Sequence, residues 1–398
     1  DSAITYQYCV IPIGHNIPNV LHELLYEVYI PDVNDSLKSS SSKNQLMIDL
    51  EYESVKLTGN LPQNEDNLKS TQGLLPSKWT PKGTITIWDD VLGRYIPLEG
   101  ACVHARWFTN LETGLTDTNG YFQTNQFRYE VSYAIKWERS YYDIRNGAVS
   151  QAWYNGPKQK SDWNLQIRGG ESVMYGTMHR AAFKHFYGDN LGIRRPILID
   201  GSKTKICYRD GEGSGVFWGD WSSSGIMPDI QVWGKANGRY KPTQQIFGTT
   251  AHELGHQAHS QYLGNVKYWQ VSKIIYESWA DAVEWALSND EYHKLGSRFG
   301  ITAATSYNHI YNTQASWPIV NDKAYSPIFI DLMDNTNQRT SFGSNRPNDL
   351  ISGYTLFLIH NCILINAYGL SSLRDIIKKN KITGVTDAQI DELFSLYW

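Results

Sequence analysis

The sequence predicts a multidomain protein of the α+β class, in which a β-sandwich precedes a mostly α-helical domain. Between residues 83 and 145, short segments alternate apolar and polar residues with period two, and turn residues separate them. From about residue 170 the apolar residues recur at helical spacing. A chain of 398 residues has room for two or three domains. We therefore predict an irregular N-terminal region over 1–80, the sandwich over 81–168 and the helical domain over 169–398.

The strand predictions rest on alternation and on turn chemistry. GTITIWDD (83–90) alternates, PLEGACVHARWF (97–108) alternates again, and FRYEVSYAIKWE (127–138) follows the same pattern. Asn119-Gly120 predicts a tight turn between strand-like flanks. Closely spaced short strands of this kind are typical of a sandwich. A further short strand is predicted over 227–235, outside this region.

The helix predictions use periodicity and end signals. Pro242 suits the first turn of a helix and Gly264 suits the position after its last turn, which predicts a long helix between them. The other predicted helices cover 171–190, 272–288, 350–367 and 386–397.

Composition excludes some classes of partner. The net charge is only -4 and no basic block is present, so nucleic acid is not an expected partner. The longest apolar run, 352–370, contains His360, Asn361 and Asn366 and is too polar for a transmembrane segment. The aromatic content of 26 Tyr, 14 Trp and 12 Phe is a composition we associate with secreted proteins.

The four cysteines do not predict a metal site. Cys9, Cys102, Cys207 and Cys362 are far apart and form no C-x-x-C pair, so a thiolate metal site is not expected. Disulfides in an oxidising compartment and buried free thiols both remain open.

The segment TAHELGHQAH (250–259) predicts a zinc site. His252 and His256 are four residues apart, which places both imidazoles on one face of a helix. Two neutral imidazoles on one face can bind Zn²⁺ at about 2.0 to 2.1 Å. Glu253 follows the first histidine and would lie beside the metal, where a general base for hydrolysis must be.

A catalytic zinc site needs a third protein ligand. His259 is three residues beyond His256, and a third ligand from the same straight helix is geometrically awkward, so an outer or structural role is expected for it. Glu277 and Asp281 are better placed, because they share a face of the next predicted helix. A pair of solvated helix charges is the alternative, but the apolar neighbours Trp279 and Trp285 indicate a helix buried on several sides.

The pattern HELGH followed by ESWAD resembles the gluzincin metallopeptidases, a group that includes thermolysin and several aminopeptidases. The resemblance covers about 250–285 and implies a thermolysin-like zincin fold for the helical domain. It implies that His252, His256 and Glu277 bind Zn²⁺, that Glu253 is the general base, and that Asp281 contacts His252 and supports it. The metzincin pattern is excluded, because Gly and His are required where this chain has His259 and Tyr262.

The resemblance also implies a reaction, in which metal-activated water attacks a peptide bond of a peptide or protein, glycoproteins included. Whether such an enzyme is an endopeptidase or an aminopeptidase stays open. Such sites use a downstream donor for the oxyanion. We expect this donor to be Tyr325; the other candidates are Tyr307, His309, Tyr311 and His360. The strand 229–233 is expected to be an exposed edge that pairs with substrate, and a loop with Trp218 and Trp221 could border the cleft.

A second resemblance concerns residues 83–145. The order of strands and turns around PLEGACV and TDTNGYF is similar to the carboxypeptidase regulatory-like, transthyretin-like sandwich, which implies a docking or scaffolding module. It also implies an extracytoplasmic protein: secreted, periplasmic or a surface lipoprotein. Two alternative functions stay open: a surface binding protein on an inactive peptidase scaffold, and a zinc hydrolase of a non-peptide amide or ester.

Overall fold

Three β-sheets and a set of helices form the part of the protein that the computed structural model describes, which is residues 77–108, 110–195, 203–219, 228–309 and 324–397. All of them lie in one compact unit, Gly73–Trp398. The fold is mixed α+β, with a β-rich N-terminal part and a helical C-terminal part, as the sequence predicts at that level. The predicted irregular region falls almost wholly on residues 1–76, which lie outside the described residues.

Most strands precede the first long helix. They are β1 (Lys82–Asp89), β2 (Arg94–Pro97), β3 (Cys102–Trp107), β4 (Asn110–Leu115), β5 (Tyr121–Gln123), β6 (Val131–Lys136), β7 (Tyr142–Asn146), β8 (Ser150–Gln151), β9 (Trp153–Gln159), β10 (Leu165–Ile167), β11 (Thr204–Glu212), β12 (Gly215–Phe217), β13 (Ile230–Ala236) and β14 (Arg239–Tyr240). In β1 and β6 every second residue is buried, which is the alternation read from the sequence. Gly120 adopts φ 74° directly before β5, in the predicted tight turn.

The helices include two long ones that carry the candidate site. The helices are α1 (Gly170–Phe186), α2 (Thr243–Leu263), α3 (Asn265–Tyr268), α4 (Lys273–Phe299), α5 (Thr302–Thr305), α6 (Ile328–Asp331), α7 (Gln338–Phe342), α8 (Leu356–Leu358), α9 (Leu370–Lys379) and α10 (Asp387–Phe394). A π-helical turn (Ile359–Ile363) and a 3-10 turn (Leu364–Asn366) follow α8. No helix among the described residues has both the length and the apolar character that a membrane crossing requires.

The ends of α2 agree with the sequence prediction, whereas two other helices differ from it. Pro242 and Gly264 flank α2, with Gly264 at φ 79°. The helix α4 continues past residue 288 to Phe299, where Gly300 in the left-handed region ends it. The single helix predicted over 350–367 begins only after Thr355, whose side chain caps the backbone N–H of Leu358, and it changes helical type twice.

The sheets follow a different division from the predicted domains. Two four-stranded sheets have the orders β10-β1-β2, with β5 also paired to β1, and β4-β3-β6-β9. The third sheet has the order β12-β13-β11-β7-β8, with β14 paired to β13. Strands β7 and β8 lie within the range predicted for the sandwich, yet they belong to this third sheet because β7 pairs in parallel with β11.

A buried ionic network joins the β-rich part to the helices. The Arg180 guanidinium on α1 contacts Asp89 of β1 at 2.8 Å and Glu291 of α4 at 3.2 Å. The Tyr292 hydroxyl donates to the same Asp89 carboxylate at 3.2 Å. Since Arg180 and Asp89 are both buried, loss of one partner would leave an uncompensated charge in the interior.

The cysteines of the described residues take no part in cross-links. Cys102, Cys207 and Cys362 are free thiols, and Cys207 is fully buried in β11. Cys9 lies outside the described residues.

Candidate metal centre

The candidate site lies where α2 packs against α4. His252 and His256 are one turn apart on α2, and Glu277 and Asp281 are one turn apart on α4. The indole N–H of Trp279 donates to the backbone carbonyl of Gly255 at 3.2 Å and ties the two helices together beside the site. The predicted meeting of these two helices is therefore present in the fold.

Three donor atoms converge at the centre. The Nε2 atoms of His252 and His256 are 3.1 Å apart. Oε2 of Glu277 is 3.4 Å from Nε2 of His252 and 3.2 Å from Nε2 of His256. Three donors bound tetrahedrally at zinc distances are about 3.3 Å from one another. The spacing of these atoms therefore fits a single Zn²⁺.

The outer nitrogen of His252 is held by two carboxylates. Nδ1 of His252 is 3.2 Å from Asp281 Oδ1 and 3.4 Å from Glu284 Oε2. A carboxylate that accepts the Nδ1 hydrogen leaves Nε2 free to bind a metal. His252, Asp281 and Glu284 also form a second group of converging donors, but this group uses Nδ1 and not the nitrogen that meets His256. The arrangement fits Asp281 and Glu284 as hydrogen-bond partners of a metal ligand, His252.

The outer nitrogen of His256 has a different partner. The Tyr268 hydroxyl lies 3.1 Å from His256 Nδ1 and fixes the ring from the opposite side. The ring of Phe217 stacks on His256 with centroids 6.4 Å apart. Both histidines are thus oriented by contacts to their outer edges, as ligands of a preorganised metal site need to be.

Glu284 is a residue that the sequence prediction missed. It follows Glu277 by seven residues and so lies on the same face of α4, which is a signal that the spacing contained. Oε1 of Glu284 is 3.0 Å from His309 Nε2, and its other oxygen contacts His252. A side chain at Gly248 would place its Cβ 2.4 Å from Glu284 Oε1, so α2 has glycine where this carboxylate needs room.

Burial and the two histidines determine the electrostatics of the carboxylates. Burial acts to raise the pKa of Glu277, but hydrogen bonds to His252 and His256 outweigh it and lower that pKa well below its usual range. Burial also acts to raise the pKa of Glu284, yet its hydrogen bonds to His252 and His309 bring it to about 2. For Asp281 burial prevails and raises the pKa to about 6. A pair of imidazoles among four carboxyl groups, with Glu253 the fourth, presents the nitrogen and oxygen donors that bind a divalent cation.

Glu253 lies beside the converging donors and has a free oxygen. Its side chain is buried, and Oε2 has no hydrogen-bond partner among the described residues. Burial raises the pKa of this carboxyl to about 8, with the charges of Glu277 and Glu284 adding to the effect and that of His252 opposing it. Gly215 of β12 packs against it so closely that a Cβ there would lie 2.2 Å from Glu253 Oε1.

A cavity of about 560 Å³ opens over these residues. Its walls include residues 214–217 along β12, the two histidines, and Tyr325. Tyr325 makes a side-chain hydrogen bond to Glu277, and burial raises the pKa of its hydroxyl. His309 also lines the cavity, at the position where its ring meets Glu284.

The other predicted residues are divided between the cavity and more distant places. Tyr307 shares a hydrogen bond of 2.8 Å with His309 Nδ1. His360 and His259 are fully buried, and neither belongs to a group of described residues that could hold a metal. Trp218 is half exposed directly after β12. Tyr311 and Trp221 lie outside the described residues.

The prediction for the substrate-binding edge is wrong in its choice of strand. The strand β13 contains residues 230–233 and lies inside its sheet, between β11 and β12. The strand that borders the cavity and has a single neighbour among the described strands is β12. The sequence did not reveal it because its Gly/Ser-rich surroundings were interpreted as loop.

Comparisons with known proteins add no family to this description. No protein-family model matches the chain, and no curated protein matches its sequence. The chemistry of the site therefore follows from the donor atoms, distances and burial given above.

Proposed function

We propose that the protein is a zinc-dependent peptide hydrolase of the gluzincin type. The observation that supports this most is the convergence of His252, His256 and Glu277 at the spacing of tetrahedral zinc ligands, with Glu253 adjacent. The ligand set of two imidazoles and one carboxylate leaves a fourth position open, which is the arrangement of catalytic zinc sites. The same ligand set is implied by the resemblance of HELGH and ESWAD to that group.

In this proposal, several residues of the chain have separate roles in hydrolysis. Zinc in such a site supplies Lewis-acid chemistry, polarising the scissile carbonyl and lowering the pKa of water. Glu253 accepts a proton from the attacking water and delivers it to the leaving nitrogen. Tyr325 donates its hydroxyl hydrogen to the developing oxyanion. Asp281 and Glu284 keep His252 in the tautomer that leaves Nε2 available.

We further propose that an extended peptide or protein segment pairs with β12. The backbone of β12 borders the cavity, and β13 pairs with the edge of β12 that faces the sheet. Main-chain pairing at an edge strand binds many sequences and suits a peptide better than a small ester. A substrate lying along β12 would pass next to Gly215 and therefore next to Glu253.

The finer assignment of the fold belongs to the same proposal. We propose that the two four-stranded sheets form a sandwich of the carboxypeptidase regulatory-like type and that the helical part is a thermolysin-like zincin domain. Ring contacts between the two sheets support the sandwich: Phe122 of β5 meets Tyr133 of β6 with centroids 6.1 Å apart. An extracytoplasmic location follows from this module as an inference by resemblance.

The decisive variant is Glu253→Gln, which keeps the shape of the side chain and removes its basicity. We expect kcat/KM for a quenched-fluorescent peptide library to fall by about 10² to 10⁴. Zinc content, measured by elemental analysis, should stay at one ion per chain. Glu212→Gln, at an exposed carboxylate of β11, is the control and should leave both values unchanged.

Two results would overturn the proposal, and a third would change its substrate class. Wild-type protein that takes up no stoichiometric zinc would exclude the metal site, and this would favour a binding protein on an inactive scaffold. Unchanged peptide hydrolysis in Glu253→Gln would exclude the proposed base. Cleavage of amide or ester substrates without any peptide cleavage would replace the substrate class and keep the metal site.

A further inference from the structure

A second group of acidic side chains lies in the C-terminal part, far along the chain from the histidines. It consists of Asp331 at the end of α6, Asp334 three residues later, and Asp349 from the loop before α8. One oxygen of each lies within 4.8 Å of the others. Asp331 is 1% exposed and Asp349 is 4% exposed, whereas Asp334 is half-buried. We call these three residues the aspartate cluster.

Only neutral groups donate to the two buried members. The Tyr397 hydroxyl donates to Asp331 Oδ2 at 2.5 Å, and the side-chain amide of Gln338 donates to Oδ1. The backbone N–H of Ile351 donates to Asp349 Oδ1 at 3.0 Å. Among the described residues, neither Asp331 nor Asp349 forms an ion pair. Two buried carboxylates held only by neutral donors are costly in their charged form.

Two further buried oxygens at the cluster have no donor at all. Oδ2 of Asp349 lacks a hydrogen-bond partner among the described residues, and so does Oε1 of Gln338. Gln338 is 1% exposed, and its amide is held at the cluster by its nitrogen on Asp331. One is a carboxylate oxygen and the other an amide carbonyl oxygen. Both are buried, neither accepts a hydrogen bond, and both are hard ligands of the kind that bind a cation.

We propose that the aspartate cluster binds a Ca²⁺ ion, with Gln338 Oε1 as an additional ligand. The donors are all oxygens, without imidazole or thiolate, which disfavours zinc. Ca²⁺ accepts irregular sets of carboxylate and carbonyl oxygens, whereas Mg²⁺ demands near-octahedral geometry and retains water. The half-buried Asp334 gives the ion a route from solvent. Protons are the competitors for this site, since burial raises the pKa of Asp349 to about 8.

The position of the cluster indicates a structural role for the ion. Tyr397 is near the end of the chain, so a cation bound at Asp331 would hold the C-terminal residues against α6 through that hydrogen bond. The same short segment begins at Ser326, whose hydroxyl meets that of Ser278 on α4 at 3.0 Å. Calcium would therefore stabilise a segment that directly follows Tyr325. This inference does not depend on the proposed hydrolase.

Terbium luminescence tests the proposal directly on the full chain. Tb³⁺ uses the same oxygen ligands as Ca²⁺, and Tyr397 is close enough to sensitise it. We expect one Tb³⁺ per chain, displaced by Ca²⁺ and poorly by Mg²⁺. Asp334→Asn should weaken binding at least tenfold. Asp375→Asn, at an exposed carboxylate of α9, is the matched control and should bind as wild type does.

Two more measurements separate the cluster from the histidine site and from a failure to fold. His256→Gln should keep the full Tb³⁺ signal, because the two sites share no residue. In wild type, Ca²⁺ at a hundredfold excess over its Kd should raise Tm by about 4 °C, and circular dichroism will establish that Asp334→Asn is folded. If that variant is unfolded, the Tm shift and the Ca²⁺ competition of wild type decide the question.

The proposal is overturned if folded wild-type protein binds neither Tb³⁺ nor Ca²⁺ at millimolar concentration. It is also overturned if Asp334→Asn and Asp349→Asn, both folded, bind as wild type does. In either case a shared proton, and not a cation, would balance the buried carboxylates.

Discussion

Two groups of buried histidines in this protein differ in the partners of their rings. His252 and His256 have contacts at every ring nitrogen. His185, His259 and His360 are fully buried, and none of their ring nitrogens has a partner among the described residues. We call the second group, these three residues, the unpartnered histidines. Burial is thus common to both groups, and converging acidic and hydroxyl partners are what distinguish a candidate ligand.

The surroundings explain the difference. One face of α4 supplies Glu277, Asp281 and Glu284 to His252 and His256. By contrast, His360 lies between the rings of Tyr262 and Trp279, with centroid distances of 5.0 and 5.2 Å. In that environment an imidazole packs as an aromatic ring and stays neutral, because burial lowers its pKa to about 4.

The largest effect should be a difference in zinc affinity between variants of two histidines on α2. His256→Gln removes a donor of the proposed zinc site, and we expect zinc affinity to fall by more than about 100-fold, beyond the loss that a supporting partner causes. His259→Gln, three residues later on α2, should bind zinc as tightly as wild type. Competition titration with a chromogenic chelator measures both. Equal losses in the two variants would contradict the distinction drawn between the groups.

A smaller effect should come from the carboxylates behind His252. Asp281→Asn and Glu284→Gln each leave the three proposed ligands in place, so we expect zinc affinity to fall by about 10- to 100-fold. The loss should be greater for Asp281, since Glu284 is shared with His309. The same titration measures these variants, with Asp290→Asn on the same helix as the control. A larger loss in Glu284→Gln would mean that Glu284 is the main partner of His252.

The smallest effect concerns the free energy of unfolding at acidic pH, to which the unpartnered histidines contribute. Burial lowers the pKa of His185 to about 3, and the charges of His360 and Arg195 act in the same direction. The unfolded value is about 6.5, so the stability contributed by the neutral ring is complete above that pH and is lost as pH falls from 6.5 toward 3. Between pH 7 and pH 5 this amounts to about 2 kcal/mol.

Replacing the ring by an apolar side chain tests this value. His185→Leu should lose about 2 kcal/mol less than wild type between pH 7 and pH 5, because only the wild-type ring gains a proton on unfolding. Urea denaturation at the two pH values measures the difference. His293→Leu, at an exposed histidine of α4, should follow wild type. An unchanged pH dependence in His185→Leu would show that its ring is not the source of the acid sensitivity.

The sequence predicted the parts of the site that helical spacing determines. His252, His256, Glu277 and Asp281 occur at i, i+4 within two helices, and α2 and α4 do bring them together. Glu284 has the same kind of signal one turn further and was overlooked. Tyr268, His309 and Gly215 had no such signal, because each reaches the site through tertiary packing and not through local periodicity.

The fold shows the same limit. Alternation located β1, β3 and β6, since one buried face imposes it on a strand. Pairing between distant strands is invisible to a local pattern, so β7 was included with the preceding strands although it pairs with β11. The choice of β13 as the edge failed for the same reason, because the short strand β12 covers it.

The contact between Gly215 and Glu253 restricts how this protein can change during evolution. A methyl group at position 215 would overlap the Glu253 carboxyl, so the cleft cannot acquire a side chain there without moving Glu253. If peptides bind along β12 as proposed, side chains that change which peptides fit would be confined to the neighbouring positions Ser214, Val216 and Phe217. Under the proposed function, selectivity would evolve through these neighbouring positions, while glycine at 215 leaves the Glu253 carboxyl in its present place.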